Sequence, residues 1–240
     1  MECFINGQWT PSRTGRRAAV TNPSTGGIID HVPLSDAADA DYAVKSAQVA
    51  FEKWRARPME DRARLQRTLA TALREHREAI ARTLTLELGR PLAGAFKEVD
   101  RLSDLLHFFA EEGLRLRGEI PLLNLPNERV LVVREPIGVV VAITPFNYPL
   151  NLLTFKLGAA LIAGCTVVAK PSMDTPLSTL MLAEIFYKTG LPEGVFNVIT
   201  GTGSEVGQAL VEHPLPRKVS FTGGTLAGKR IAASATQTNK

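Results

Sequence analysis

Ile137-Gly-Val-Val-Val-Ala-Ile143, running on into Thr144-Pro-Phe-Asn-Tyr-Pro149, decides the fold. The first seven residues hold no polar side chain and are rich in β-branched ones, the pattern of a strand covered on both faces. Prolines and an asparagine then mark a turn. Outward from this stretch, β-branched runs at 166–170, 195–200 and 218–221 join 137–144 as expected strands. Helical spacing is expected between them over 151–163, 175–188 and 204–212, with another helix starting near Thr225. Strands alternating with helices in this way predict an α/β fold with a doubly wound parallel sheet.

Upstream the rhythm differs. Phe4-Ile-Asn-Gly-Gln-Trp9 predicts a short hairpin, because Asn-Gly supplies the positive φ angles of a tight turn. Helices are expected from Ser35 or Asp36 to about Trp54, from Pro58 to Leu88, and over 92–116. In the second, Leu65, Leu69, Leu73, Ile80, Leu84 and Leu88 share one face. His76 is read as a packed residue near that face. Ile120-Pro-Leu-Leu and Arg129-Val-Leu-Val-Val flank Asn124-Leu-Pro-Asn127, predicting a two-stranded ribbon with little core of its own. Such a ribbon serves as an arm packing on another part of the molecule or on another subunit.

Composition excludes several classes. The 240 residues are 45% hydrophobic and 22% charged, an ordinary globular balance. Two cysteines cannot build a disulfide framework, and without a C-x-x-C pair no metal site is expected; the reading is cytoplasmic. No basic run followed by an apolar stretch opens the chain, so no secretory signal is expected. A net charge of +4 tolerates anionic ligands, but the arginines between Arg55 and Arg82 alternate with glutamates as on a solvated helix face, so no nucleic-acid partner is expected. The uncharged run 136–155 is about long enough to span a bilayer. Pro145, Asn147, Pro149 and Asn151 interrupt it, and no membrane partner is expected.

Ligands of a doubly wound sheet gather at the carboxyl ends of its strands. Those ends are Thr144-Pro-Phe-Asn147, Lys170-Pro-Ser-Met173, Gly201-Thr-Gly203 and Thr222-Gly-Gly-Thr225. Gly201-Thr-Gly-Ser-Glu-Val-Gly207 is one residue too long for G-x-G-x-x-G. Gly223-Gly-Thr-Leu-Ala-Gly228 keeps the outer glycines of that fingerprint with Thr225 in the middle place. It also reads as a Walker A loop through Lys229, where Arg230 replaces the magnesium-binding hydroxyl. Glycines serving only tight turns are the plain alternative for both clusters. Lys170 is either a ribose contact or a solvated lysine. Asn147 is either a turn residue beside Pro or a side-chain amide able to donate to a developing oxyanion. Cys165 reads as a small buried hydrophobe.

Thr144-Pro-Phe-Asn-Tyr-Pro149, Val168-Ala-Lys-Pro-Ser172, Gly190-Leu-Pro-Glu-Gly-Val-Phe-Asn197 and Phe221-Thr-Gly-Gly-Thr225, in this order and spacing, closely resemble the aldehyde dehydrogenase superfamily. Phe4–Trp9, Asn22-Pro23 and Glu87-Leu-Gly-Arg-Pro91 resemble its N-terminal part. The resemblance implies a helical part of the cofactor domain over 1–118, a β-ribbon oligomerisation arm over 119–135 and a Rossmann-like core over 136–240, with homo-oligomers formed through 119–134. It implies NAD or NADP as cofactor and a small aldehyde as the whole enzyme's substrate. Asn147 would be the oxyanion donor, with Thr144, Pro145 and Phe146 at the nicotinamide end. Lys170, with Ser172 and Met173 beside it, would hold the adenosine ribose. Gly203 and Gly207 would border adenine, and Phe221, Thr222, Gly223 and Gly224 would approach the pyrophosphate and nicotinamide.

Met173 stands where many NAD-preferring members place a glutamate. A thioether carries no charge to repel a 2′-phosphate, so NADP is expected to be tolerated. The family's nucleophilic cysteine and its Leu-Glu-Leu-Gly-Gly glutamate are expected beyond Lys240; Leu86-Glu-Leu-Gly-Arg90 imitates the glutamate motif without its place. The chain alone is therefore expected to be inactive. A catalytically inert dinucleotide-binding module, or a pseudoenzyme that associates with full-length subunits, is the alternative.

Overall fold

In a computed structural model, which describes residues 1–121 and 127–240, the chain opens with the expected hairpin, β1 (Cys3–Ile5) and β2 (Gln8–Thr10). Asn6 and Gly7 take the positive φ angles of its turn. Four parallel strands come later in the chain: β5 (Val139–Ile143), β6 (Thr166–Lys170), β7 (Phe196–Val198) and β8 (Lys218–Phe221). Their order is β7-β6-β5-β8, and the hairpin extends the sheet when Phe4 pairs antiparallel with Val198. This is the expected doubly wound α/β sheet, with β5 between its first and last crossovers. Between hairpin and helices lies a small antiparallel sheet, β3 (Arg17–Thr21) and β4 (Ile28–Pro33), that the sequence reading missed.

All five residues of β5 and of β6 are buried. Their alternation sorts the core into two layers. Val139, Val141, Ile143 and Val168 pack with α1 (Ala37–Arg55), α7 (Gln208–Glu212) and α8 (Thr225–Thr236). Val140, Ala142, Val167 and Ala169 pack with α2 (Met59–Glu75), α3 (Arg77–Leu88), α4 (Leu92–Leu114), α5 (Pro149–Ile162) and α6 (Leu177–Lys188).

Four expectations need correction. The helix read over 58–88 is two helices, because His76 leaves the helical region at φ −96° and ψ 11°. The apolar spacing survives the break: Leu73, Ile80 and Leu84 are all buried, and α3 bends away to pack on α4 and α6. His76 itself is exposed, with Nδ1 2.9 Å from the Ala72 carbonyl, rather than packed. The strand read over 195–200 is regular strand at Phe196–Val198, with one bond to β6 beyond each end, Val167 N to Val195 O at 2.9 Å and Ile199 N to Ala169 O at 3.0 Å. Over 204–212 the helix begins as a π-turn, Gly203–Gly207, before α7. Of the ribbon, one antiparallel bridge joins Glu119 to Val132; residues 122–126, with most of its turn, lie outside the described residues. Among the described residues no helix is long and apolar enough to cross a membrane.

The helices after β5 and β6 start without a side-chain cap of their own, at Tyr148 and Pro176. A buried glutamate serves each start. Glu87 of α3 accepts from Leu177 N at 2.7 Å and Ser178 N at 3.0 Å, satisfying amides that would otherwise lack partners. Burial pushes its carboxyl up to about 7, against the pull of those amides. A raised carboxyl pKa means the folded chain holds a proton that the unfolded chain has released. That contribution is complete below pH 4.5 and is lost as the pH rises through about 7. Denaturant titration of the wild type should lose up to about 3 kcal/mol between pH 5 and 8 relative to Glu87→Gln. Parallel profiles would contradict this.

Close helix packing yields a second expectation. A Cβ on Gly113 of α4 would come within 2.1 Å of Ile162 Cγ1, a buried side chain at the end of α5. Gly→Ala inside a helix ordinarily gains up to about 1 kcal/mol. Gly113→Ala should instead lose about 1–3 kcal/mol by overpacking, read as a lowered Tm.

Candidate active site

The carboxyl ends of β5, β6 and β8 lie side by side, since Ile143 pairs with both Lys170 and Phe221. Short bonds tie the loops leaving them: Thr144 N donates to Lys170 O at 3.3 Å and Thr222 N to Ile143 O at 3.1 Å. Gly201 N donates to the Met173 sulfur at 3.1 Å. The four strand-end segments therefore share one rim.

On the α1/α7/α8 side this rim opens into a cleft of about 580 Å³ whose lining includes Lys170, Gly203, Gly207, Gln208, Phe221 and Leu226. Lys170 reaches it because it follows Val168 at the two-residue period of β6. It is 5% exposed, its Nζ donates to Pro171 O at 3.0 Å, and burial pulls its pKa down to about 8 although Asp174 pulls the other way.

Gly203 and Gly207 bound the π-turn, which absorbs the residue that makes this segment too long for G-x-G-x-x-G: Gly207 N donates to Thr202 O, five residues back, at 3.1 Å. A Cβ at Gly203 would meet nothing within 4 Å, and one at Gly207 would touch the Lys170 side chain at 3.6 Å. Gly224 precedes α8 without a side-chain cap, and a Cβ there would also meet nothing within 4 Å. Gly223 is packed against the Phe221 ring. From Thr225 the chain is already helical, with Gly228 N bonded to Gly224 O at 3.0 Å. The glycine-lined loop of a Walker A site is thus not formed, which sets that reading aside.

Other residues singled out from the sequence sit on the rim but outside the cleft lining. Thr144 is buried, Pro145 half-buried, and Phe146 and Asn147 are exposed. Asn147 Oδ1 accepts from Tyr148 N at 3.1 Å, leaving Nδ2 without a protein partner among the described residues. Ser172 donates to Asp174 at 2.9 Å, and Met173 packs on the core of the α5/α6 side. Thr222 accepts from Lys156 Nζ at 2.6 Å; Lys156 is a half-buried lysine of α5 whose pKa burial lowers.

Sequence reading missed three side chains that hold this rim. Besides Lys156 they are Glu98 of α4 and Arg90. Glu98 Oε1 accepts from Leu150 N at 3.1 Å and Asn151 N at 3.2 Å, capping α5, and its other oxygen pairs with Arg90. Burial pushes the Glu98 carboxyl up, while the two amides and Arg90 oppose it. Arg90 also donates to the carbonyl of Asn147 and lies 4.0 Å from the Tyr148 ring centroid. Only the uncapped start of α5 signalled any of this: Tyr148-Pro149 offers no capping side chain, so an acceptor had to come from elsewhere.

Both cysteines are free and buried. Cys3 lies in β1, 3.4 Å from the Ser35 hydroxyl, and burial pushes its thiol up. Cys165 is 3% exposed, as its reading as a small hydrophobe expects.

Residues 9–240 match the model of the aldehyde dehydrogenase family. The NADP(+) succinate-semialdehyde dehydrogenase of Escherichia coli is 41% identical over 96% of this chain and 48% of its own length. The glutarate-semialdehyde dehydrogenase of Pseudomonas aeruginosa is 40% identical over 98% of this chain and 49% of its own. Among solved structures, an NADP-dependent enzyme of E. coli superposes with a TM-score of 0.97 at 40% identity, over all of this chain and 50% of that one. The betaine aldehyde dehydrogenase of Staphylococcus aureus, in complex with NAD+, gives 0.95 at 36% identity, over 99% of this chain and 48% of that one. The chain spans about half the length of the curated relatives it matches. The sheet order, the strand-end motifs and the match across nearly all 240 residues agree: this chain belongs to the aldehyde dehydrogenase family.

Proposed function

We propose that this chain is the nicotinamide-dinucleotide-binding part of an NAD(P)-dependent aldehyde dehydrogenase that works in the cytoplasm. The observation that carries the reading is Lys170, a buried cation opening on a strand-end cleft with open space over Gly203. The residues fit such a cofactor: the cleft has the size of a small-ligand site, and the uncapped start of α8 offers amides suited to phosphate. Lys170, Ser172 and Met173 would hold the adenosine ribose, Gly203 and Gly207 the adenine, and Phe221, Thr222, Gly223 and Gly224 the pyrophosphate. Thr144, Pro145, Phe146 and Asn147 would meet the nicotinamide, the ring that accepts hydride when bound.

In the whole enzyme a cysteine thiolate adds to the aldehyde, and Asn147 Nδ2 donates to the oxyanion that forms. Met173 places no carboxylate against a 2′-phosphate, which supports binding of NADP as well as NAD. The 240 residues alone do not turn over aldehyde, because neither cysteine is exposed and Glu87 is committed to the start of α6. The functional division is 1–118, 119–135 and 136–240, with 119–134 as the arm that joins subunits.

Calorimetric titration of the chain at pH 7 with NAD, NADP and ATP tests the reading. Both dinucleotides should bind, ATP should show no magnesium-dependent binding, and aldehyde with either dinucleotide should give no reduced cofactor. Lys170→Met should weaken dinucleotide binding about tenfold or more by removing a charged donor. The same change relieves a buried charge, so it should raise Tm by about 2–4 °C. A wild-type chain that binds neither dinucleotide, or a Lys170→Met chain that binds as well as wild type, overturns the assignment.

A further inference from the structure

Glu98 and Arg90 are remote in sequence from the strand ends, yet their bonds converge on one turn of the rim. Glu98 has no exposed side-chain surface, and Arg90 only 16%. One carboxylate oxygen holds Leu150 N and Asn151 N, the first amides of an α5 whose own cap residue contributes no side chain. The other oxygen pairs with Arg90.

Helix capping explains the carboxylate but not the second arm of the guanidinium. That arm donates to the carbonyl of Asn147, a residue in neither helix nor strand, while the guanidinium carbon lies over the ring of Tyr148, the next residue, 4.0 Å from its centroid. Carbonyl and ring held by one planar group fix the Asn147–Tyr148 step in two directions. The Asn147 side chain is tied to the same step, since its Oδ1 accepts from Tyr148 N at 3.1 Å. An exposed turn with few apolar contacts has little else to order it.

We propose that Arg90 and Glu98 are positioning residues that clamp the Asn147–Tyr148 step and so aim the Asn147 amide; neither touches a ligand. The purpose of the clamp rests on the oxyanion and nicotinamide roles proposed above, whereas the clamping itself does not.

Amide hydrogen exchange on the full 240-residue chain tests it, using wild type, Arg90→Ala, Arg90→Lys and Glu98→Gln. Arg90→Ala should speed exchange over 147–152 at least about tenfold and leave β5 and β6 as protected as in wild type. Arg90→Lys keeps a cation beside Glu98 but lacks the fork, so it should restore protection at Leu150 and Asn151 and leave Tyr148 loosened. In binding, Arg90→Ala should weaken NADH about five- to tenfold and leave AMP, a probe of the Lys170 end, within about twofold. Unchanged exchange over 147–152 overturns the proposal. So does loosening spread evenly over the sheet with NADH and AMP lost together, the mark of an ion pair that only stabilises the fold. Should Arg90→Ala fail to fold, the contrast between Tyr148 and Leu150 in Arg90→Lys decides. A wild type that binds neither NADH nor AMP removes the dinucleotide reading, and the exchange pattern then judges the clamp by itself.

Discussion

Strand β5 must bury both faces, and most of the molecule depends on that. Its residues alternate between two packed layers, so apolar cover is needed above and below it. Parallel neighbours on both edges, β6 and β8, require crossover helices, and the shared strand direction brings every loop that leaves one of these strands to the same end of the sheet. The cleft lies at the carboxyl ends, where the chain leaves β5 for α5 on one face and β8 for α8 on the other.

Lys170 shows how the same constraint creates the site. A two-residue period that buries Val168 against α1 also turns Lys170 into that layer, where it sits almost without solvent. The fold bears the cost of a poorly solvated cation at a position that packing alone would give to an apolar side chain. The helical part supplies the complement: Glu87 and Glu98 carry acceptors to the starts of the two helices that succeed the β5 and β6 loops. Rim and helical layer are therefore joined by hydrogen bonds as well as apolar contact.

Much of this was legible in the sequence where the signal is local and repetitive. The β-branched runs at 139–143 and 166–170, the Asn-Gly turn and the strand–turn–helix context of Gly223 and Gly224 give strands, hairpin and rim. The glycine and lysine positions of the rim were found from their places after strands. What stayed hidden depends on distant partners. Period alone could not reveal the bend at His76, because Leu73 and Ile80 are two turns apart with or without it. The pair β3 and β4 has only half-apolar residues and a bulge. Nothing near Glu98 in the sequence announces the α5 amides it serves, which lie more than 50 residues away.

The π-turn at Gly203–Gly207 makes this part of the rim sensitive to length as well as to side-chain identity. It holds one residue more than an α-turn between the end of β7 and α7. Because a π-turn carries its extra residue within nearly the same angular travel as an α-turn, the helix that follows keeps its phase, and Val206, Leu210 and Val211 stay on the sheet. Loss of that residue would close the segment as ordinary helix with α7 still seated, so the damage falls on the Gly203–Gly207 edge of the cleft, where Gly207 meets the Lys170 side chain, and spares the core beneath it.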